Sequence, residues 1–134
     1  MVAPPLSTFM ACALVACGGA VGSVARYLIG KALLDWAGDQ AFPWTLLGIN
    51  TAGSLAMGLL FGWFYLNDGG TESQRLLFAV GMLGGFTTFS AFSLEIILLI
   101  QRGAFASAIA FVAASVLAGV AGLYAGLIIM GPAK

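Results

Sequence analysis

The chain alternates long apolar runs with brief polar interruptions. Apolar residues dominate Ser7 to Leu34, Pro43 to Leu66, Leu76 to Ile100 and Ala104 to Met130. Between them, Asp35, Gly38, Asp39 and Gln40 mark the first gap. Asn67-Asp68-Gly69-Gly70 with Glu72 and Gln74 mark the second, and Gln101-Arg102-Gly103 the third. A helix of about 20 apolar residues crosses a bilayer while satisfying its own backbone hydrogen bonds, which lipid cannot do for it. The pattern therefore predicts an all-α membrane protein with four transmembrane helices in one transmembrane domain, residues 1–134, without room for a soluble domain between them. Trp36, Trp44, Trp63 and Tyr65 fall near the predicted ends, where amphipathic rings favour the headgroup region.

Composition strengthens that reading. Hydrophobic residues make up 61% of the chain and charged residues 7%, against the roughly 25% charged residues usual in soluble domains. Leu14-Val15-Ala16-Cys17 has the outline of a lipoprotein cleavage site, but no basic residue precedes it and the apolar run continues past it, so a retained first helix is expected. Cys12 and Cys17, five residues apart, share no helical face suited to a disulfide or a metal pair, and read as small hydrophobes. With no histidine, the chain lacks a His/Cys zinc cluster and a histidine-based triad. No Ser, Lys or Asp forms a nucleophile-base arrangement, so an enzyme is not expected, nor is a nucleic-acid partner.

Small residues recur four apart in each span, as Gly18 with Gly22, Gly58 with Gly62, Gly81 with Gly85 and Gly122 with Gly126. Such pairs let backbones approach closely in lipid, either within one subunit or across a dimer contact. Basic residues give little orientation. Arg75 and Lys134 fall on one side of the membrane, and Arg26, Lys31 and Arg102 on the other. The positive-inside rule barely chooses on that balance, and a chain inserting both ways could form an antiparallel homodimer.

The third span carries Gly84-Gly85-Phe86-Thr87-Thr88-Phe89-Ser90-Ala91-Phe92-Ser93 near its middle. Adjacent glycines and β-branched residues weaken a helix, and an interruption inside the membrane exposes carbonyl oxygens able to coordinate an ion. The alternative is an unbroken helix whose threonines bond back to the preceding turn. Phe86, Phe89 and Phe92 are spaced to form an aromatic row, whose ring edges would favour a small anion. Asn50, with Ser54 one turn on and Thr45 near the start, gives the second span a polar face. In lipid, Asn50 needs a partner in another helix or a polar path. The fourth span adds Ser107, Ser115 and Tyr124. Arg26 either snorkels to the interface or forms a basic vestibule, and Glu95 could reach an aqueous mouth, pair with a cation or carry a proton.

The run Gly81 to Ser93 closely resembles the signature of the CrcB/Fluc fluoride channel family. Gly18-Gly19-Ala20-Val21-Gly22-Ser23-Val24-Ala25-Arg26-Tyr27 and Thr45-Leu46-Leu47-Gly48-Ile49-Asn50-Thr51-Ala52-Gly53-Ser54 accompany it in the family's order. The resemblance implies a passive fluoride channel exporting fluoride across the cell (inner or plasma) membrane. It implies an antiparallel, dual-topology homodimer in membrane lipid, with two pathways, a third helix broken mid-membrane, and a structural sodium ion held by the carbonyls of Gly84 and Thr87. It assigns Asn50, Phe89, Phe92, Ser90, Thr88 and Ser115 to the fluoride pathway and Arg26 to a vestibule, where Glu95 is also expected. Along the fourth span only Ser115 and Ser107 supply serine or threonine hydroxyls, with Gly119 and Gly122 nearby, which departs from the family's polar track. A proton-coupled small multidrug transporter is the main alternative, but it needs a carboxylate inside the first span, whose interior charge is Arg26. A non-catalytic membrane subunit would leave the paired threonines and the phenylalanine row without a purpose.

Overall fold

The computed structural model describes residues 6–38 and 41–131, and all regular structure among them is helical. Asp39 and Gln40 of the first connection, and Lys134 of the charge balance, lie outside the described residues. Helix α1 spans Thr8–Ala37 and α2 spans Trp44–Leu66. The third span is built in pieces: α3 Glu72–Gln74, a π-helical segment Arg75–Leu83, α4 Gly84–Phe86 and α5 Phe89–Gln101. Helix α6, Phe105–Met130, is the last helix among the described residues. Four helical stretches, Thr8–Ala37, Trp44–Leu66, Glu72–Gln101 and Phe105–Met130, are long and apolar enough to cross a membrane.

Local chemistry sets the ends. The Ser7 hydroxyl accepts the Met10 N–H at the start of α1. That helix extends past Leu34 to Ala37, and across its last turns Lys31 Nζ bonds Asp35 one turn later at 2.8 Å. The third span begins earlier than its apolar run, so Glu72 and Gln74 belong to a helix and not to the connection. Thr71 and Gln74 form a reciprocal capping box: the Gln74 N–H donates to Thr71 Oγ1 at 3.2 Å, and the Thr71 N–H donates to Gln74 Oε1 at 2.9 Å. Replacing Thr71 with Ala should cost about 1 kcal/mol and lower Tm in detergent by about 4 °C. An unchanged Tm would show that the box does not hold this helix start.

Two intimate crossings organise the bundle, α1 against the π segment and α4, and α2 against α6. All four glycine pairs sit at them. A methyl added at Gly18 would overlap the Leu77 carbonyl, and one at Gly22 the Met82 carbonyl. Gly81 in turn faces Gly18, and Gly85 faces Gly19. In the other crossing a methyl at Gly58 would overlap the Leu123 carbonyl and one at Gly126 the Leu55 carbonyl, while Gly62 abuts Met130 and Gly122 abuts Thr51. With no hydrophobic drive between helices in lipid, this backbone proximity supplies the dispersion energy of association.

Helix α5 reaches the α2–α6 pair through an apolar cluster of Leu99, Ala108 and Phe111, backed by Phe42, Leu46, Leu47, Phe92 and Ile96. No polar or charged residue is buried as a whole among the described residues, and large apolar residues such as Leu28, Ile109, Leu117 and Ile129 cover the outside. That inside-out surface suits lipid as solvent.

Candidate functional site

Between α4 and α5 the backbone leaves the helix for two residues. Thr87 (φ −85°, ψ 159°) and Thr88 (φ −150°, ψ 127°) are extended. Each threonine does something different there. The Thr87 hydroxyl donates back to the Leu83 carbonyl at 3.0 Å, closing the end of the preceding turn. Thr88 caps α5, its Oγ1 accepting the Ala91 N–H at 3.3 Å and lying 3.3 Å from Ser90 Oγ.

Asn50 holds this stretch from α2. Its Nδ2 donates to the Thr88 carbonyl at 3.2 Å, and its Oδ1 accepts the Thr88 N–H at 3.0 Å. The amide thus pairs with both main-chain groups of a single residue, as a neighbouring strand would. In a continuous helix the Thr88 N–H would go to the Gly84 carbonyl and the Ala91 N–H to the Thr87 carbonyl. Here they go to Asn50 Oδ1 and Thr88 Oγ1 instead, which leaves the carbonyls of Gly84 and Thr87 without those two donors. No three His, Cys, Asp or Glu side chains gather as a metal site among the described residues. A cation here would have to use main-chain oxygens, the ligands that hard ions prefer.

Beside the extended stretch lies a groove of about 580 Å³, walled by α2, the Gly84–Phe92 region and α6. Its lining brings together Asn50, Thr88, Phe89, Phe92 and Ser115 with Gly84 and Thr87. Ser90 joins them only through its contact with Thr88. Phe89 and Phe92 pack with ring centroids 5.6 Å apart, and Phe89 is 78% exposed in the single chain. Ser115 Oγ is buried and has no hydrogen-bond partner.

One sequence expectation comes out differently, and the two vestibule residues lie apart from the groove. Phe86 is not part of the aromatic row: its ring packs over Gly53 of α2, because the extended residues break the three-residue phase that would align it with Phe89. Arg26 is not among the groove residues; its Nε is buried without a partner. Glu95 lines a separate cavity of about 280 Å³ with Thr45 and Arg102. Neither is expected in the groove itself: Arg26 is on α1, which supplies none of the groove's walls, and Glu95 lies one turn beyond Phe92 on α5.

Other contributors are hidden in an apolar background. Met57, Val116 and Leu123 line the groove. Phe111, 0% exposed, stacks behind Phe92 at 5.3 Å and meets Phe42 edge-on at 5.8 Å, so it fixes the ring that faces the groove. Only Ser54 had a visible signal, its position one helical turn from Asn50.

The groove offers neutral donors and two phenylalanine rings and no charged side chain. Asn50 Nδ2 keeps one N–H beyond the bond to Thr88, the serine hydroxyls can rotate toward a guest, and phenylalanine edges carry partial positive charge. Such a lining suits a small anion stripped of some of its water.

Residues 13–127 match the family described as CrcB-like protein, Camphor Resistance (CrcB). The chain is 54% identical over 121 residues to a protein of Novosphingobium aromaticivorans named Fluoride-specific ion channel FluC, covering 90% of this chain and 95% of that one. It is 50% identical over 113 residues to the Rhodospirillum centenum protein of the same name, covering 84% of this chain and 89% of that one. A Caulobacter relative, also so named, is 49% identical over 117 residues, covering 87% and 91%. The match takes in most of α1, all of α2, the extended Thr87 and Thr88, and most of α6, and on that ground the chain belongs to the CrcB family.

Proposed function

We propose that this protein is a passive, fluoride-selective channel that lets fluoride leave the cell across the inner membrane. The observation that carries the reading is the lining of the groove: neutral hydrogen-bond donors and phenylalanine rings, with no charge, in a chain whose relatives are named fluoride-specific channels. The working unit is an antiparallel, dual-topology homodimer with two pathways. The third helix is interrupted mid-membrane at Thr87 and Thr88, and the outward face there, with Gly84 and Phe89 exposed, is what a second copy would cover. A structural sodium ion fits the same place, because the Gly84 and Thr87 carbonyls lack their helical donors. Those two residues from each subunit would hold it, and its charge would steady the extended backbone.

Fluoride enters the groove by exchanging water for the amide of Asn50 and the hydroxyls of Thr88, Ser90 and Ser115, then passes the edges of Phe89 and Phe92. Chloride is larger and a weaker acceptor, so a narrow path of weak donors discriminates against it while still releasing fluoride. The proton-coupled multidrug alternative has no support here, since none of the groove residues is acidic.

Efflux of fluoride from liposomes holding the purified protein, followed with a fluoride electrode, tests this. Rapid efflux with chloride retained is expected, and Phe89→Ile should abolish it by removing one set of ring edges. A wild-type protein that releases both halides equally, or neither, would refute the proposal.

A further inference from the structure

We infer that Ser54 of α2 contributes an ion-contacting hydroxyl to the groove, at the level where α6 presents Gly119. The inference rests on the fluoride reading above and adds to the pathway a residue on a different wall from Ser115. Ser54 lies one turn beyond Asn50 and lines the same cavity. A Cβ placed on Gly119 would lie 3.5 Å from Ser54 Oγ, so this hydroxyl points across the groove at the strip of α6 that begins with Ser115. Ser115 and Gly119 are one helical turn apart, a separation of about 5–6 Å between side-chain positions. Hydroxyls from two walls therefore converge on one short stretch, and a small anion there could accept from both.

The hydrogen bonding of the other hydroxyls supports this. In a membrane helix, Ser and Thr ordinarily satisfy themselves by bonding to the carbonyl one turn earlier. Ser93 does so with Phe89 at 3.0 Å, and Thr87 with Leu83 at 3.0 Å. Ser115 does not: its Oγ is buried and has no hydrogen-bond partner among the described residues, while Ser54 is half-buried on the wall of the same groove. A donor left unpaired away from water is unfavourable, and the charge-assisted bond to an anion is the strongest way to satisfy it.

The test compares wild type, Ser54→Ala and the double variant Ser54→Ala with Gly119→Ser in the fluoride liposome assay, with Tm and size-exclusion elution in detergent measured alongside. Ser54→Ala should lower fluoride efflux about tenfold, the equivalent of one hydrogen bond to a charged acceptor, with Tm unchanged. The double variant should regain most of the wild-type rate, because the hydroxyl returns from the opposite wall into space that Gly119 leaves open. If wild type conducts and Ser54→Ala conducts equally well, the inference is overturned and the channel reading stands. Aggregation or a large fall in Tm for Ser54→Ala assigns Ser54 to packing and also overturns it. If wild type itself passes no fluoride, both readings fall together.

Discussion

Fluoride efflux through an Asn50→Asp variant should be lost at neutral pH and return as the medium is acidified. Asn50 works as a two-point clamp, donating to the Thr88 carbonyl and accepting the Thr88 N–H. An ionised aspartate keeps the acceptor but loses the donor, setting a charged oxygen against the Thr88 carbonyl and a negative charge beside an anion path. A carboxylate inside a membrane helix costs on the order of 3 kcal/mol, which translates into a rate loss of more than about a hundredfold. Protonation reverses both effects: the acid hydroxyl donates to the Thr88 carbonyl, and its carbonyl oxygen accepts the Thr88 N–H. Activity is therefore present while the carboxyl is protonated, and disappears as pH rises and it ionises. No titratable side chain lines the groove, so the response belongs to the introduced group. Protein-free liposomes at each pH correct for leakage of neutral hydrogen fluoride. Asn50→Leu, which can neither donate nor accept, should stay inactive at every pH. Full activity of Asn50→Asp at neutral pH, or acid recovery shared by Asn50→Leu, would rule out the clamp.

The clamp also marks the limit of what the chain discloses when read linearly. Helix number and approximate extent were legible because a bilayer imposes a length and an apolar composition on anything that crosses it. The glycine pairs were legible as close-approach sites, although spacing alone left open whether the approach lay within or between subunits. All four serve crossings inside the chain. Asn50 was conspicuous as a polar group that needs a partner, yet that partner is a main-chain peptide 38 residues away. A peptide group has no identity in the sequence, so no spacing rule finds it. The same is true of the π segment, whose Leu, Ala, Val and Met content differs little from that of an ordinary membrane helix. Phe86 was placed in the aromatic row by assuming a constant helical phase across the very residues that interrupt it. Phe111 was invisible for the opposite reason: in a chain this apolar, one more phenylalanine carries no signal until its ring is found behind Phe92.

Gly126→Ala should be among the most damaging small substitutions in the bundle, and Gly48→Ala should be nearly silent. Both exchange a glycine for the best helix former, which on propensity alone would stabilise each helix by about 0.5–1 kcal/mol. What separates them is the space a methyl would enter. Gly48 sits on α2 with nothing within 4 Å of a built Cβ, so only the propensity gain applies. At Gly126 the methyl would overlap the Leu55 carbonyl and lie 2.6 Å from the Leu59 nitrogen and 2.8 Å from the Gly58 carbonyl carbon. Those atoms are helix backbone and cannot turn aside as a side chain would, so α2 and α6 must separate along their whole contact. Overpacking against even a compliant core costs about 1–3 kcal/mol, and a rigid backbone places this case at the upper end or beyond. The same separation would widen the groove, whose facing walls are α2 with Asn50 and Ser54 and α6 with Ser115. Gly126→Ala should therefore lower both Tm in detergent and the preference for fluoride over chloride in any protein that still inserts, while Gly48→Ala keeps both. Equal behaviour of the two variants would mean that the α2–α6 contact is looser than its backbone approach indicates, and that the groove's width is set elsewhere.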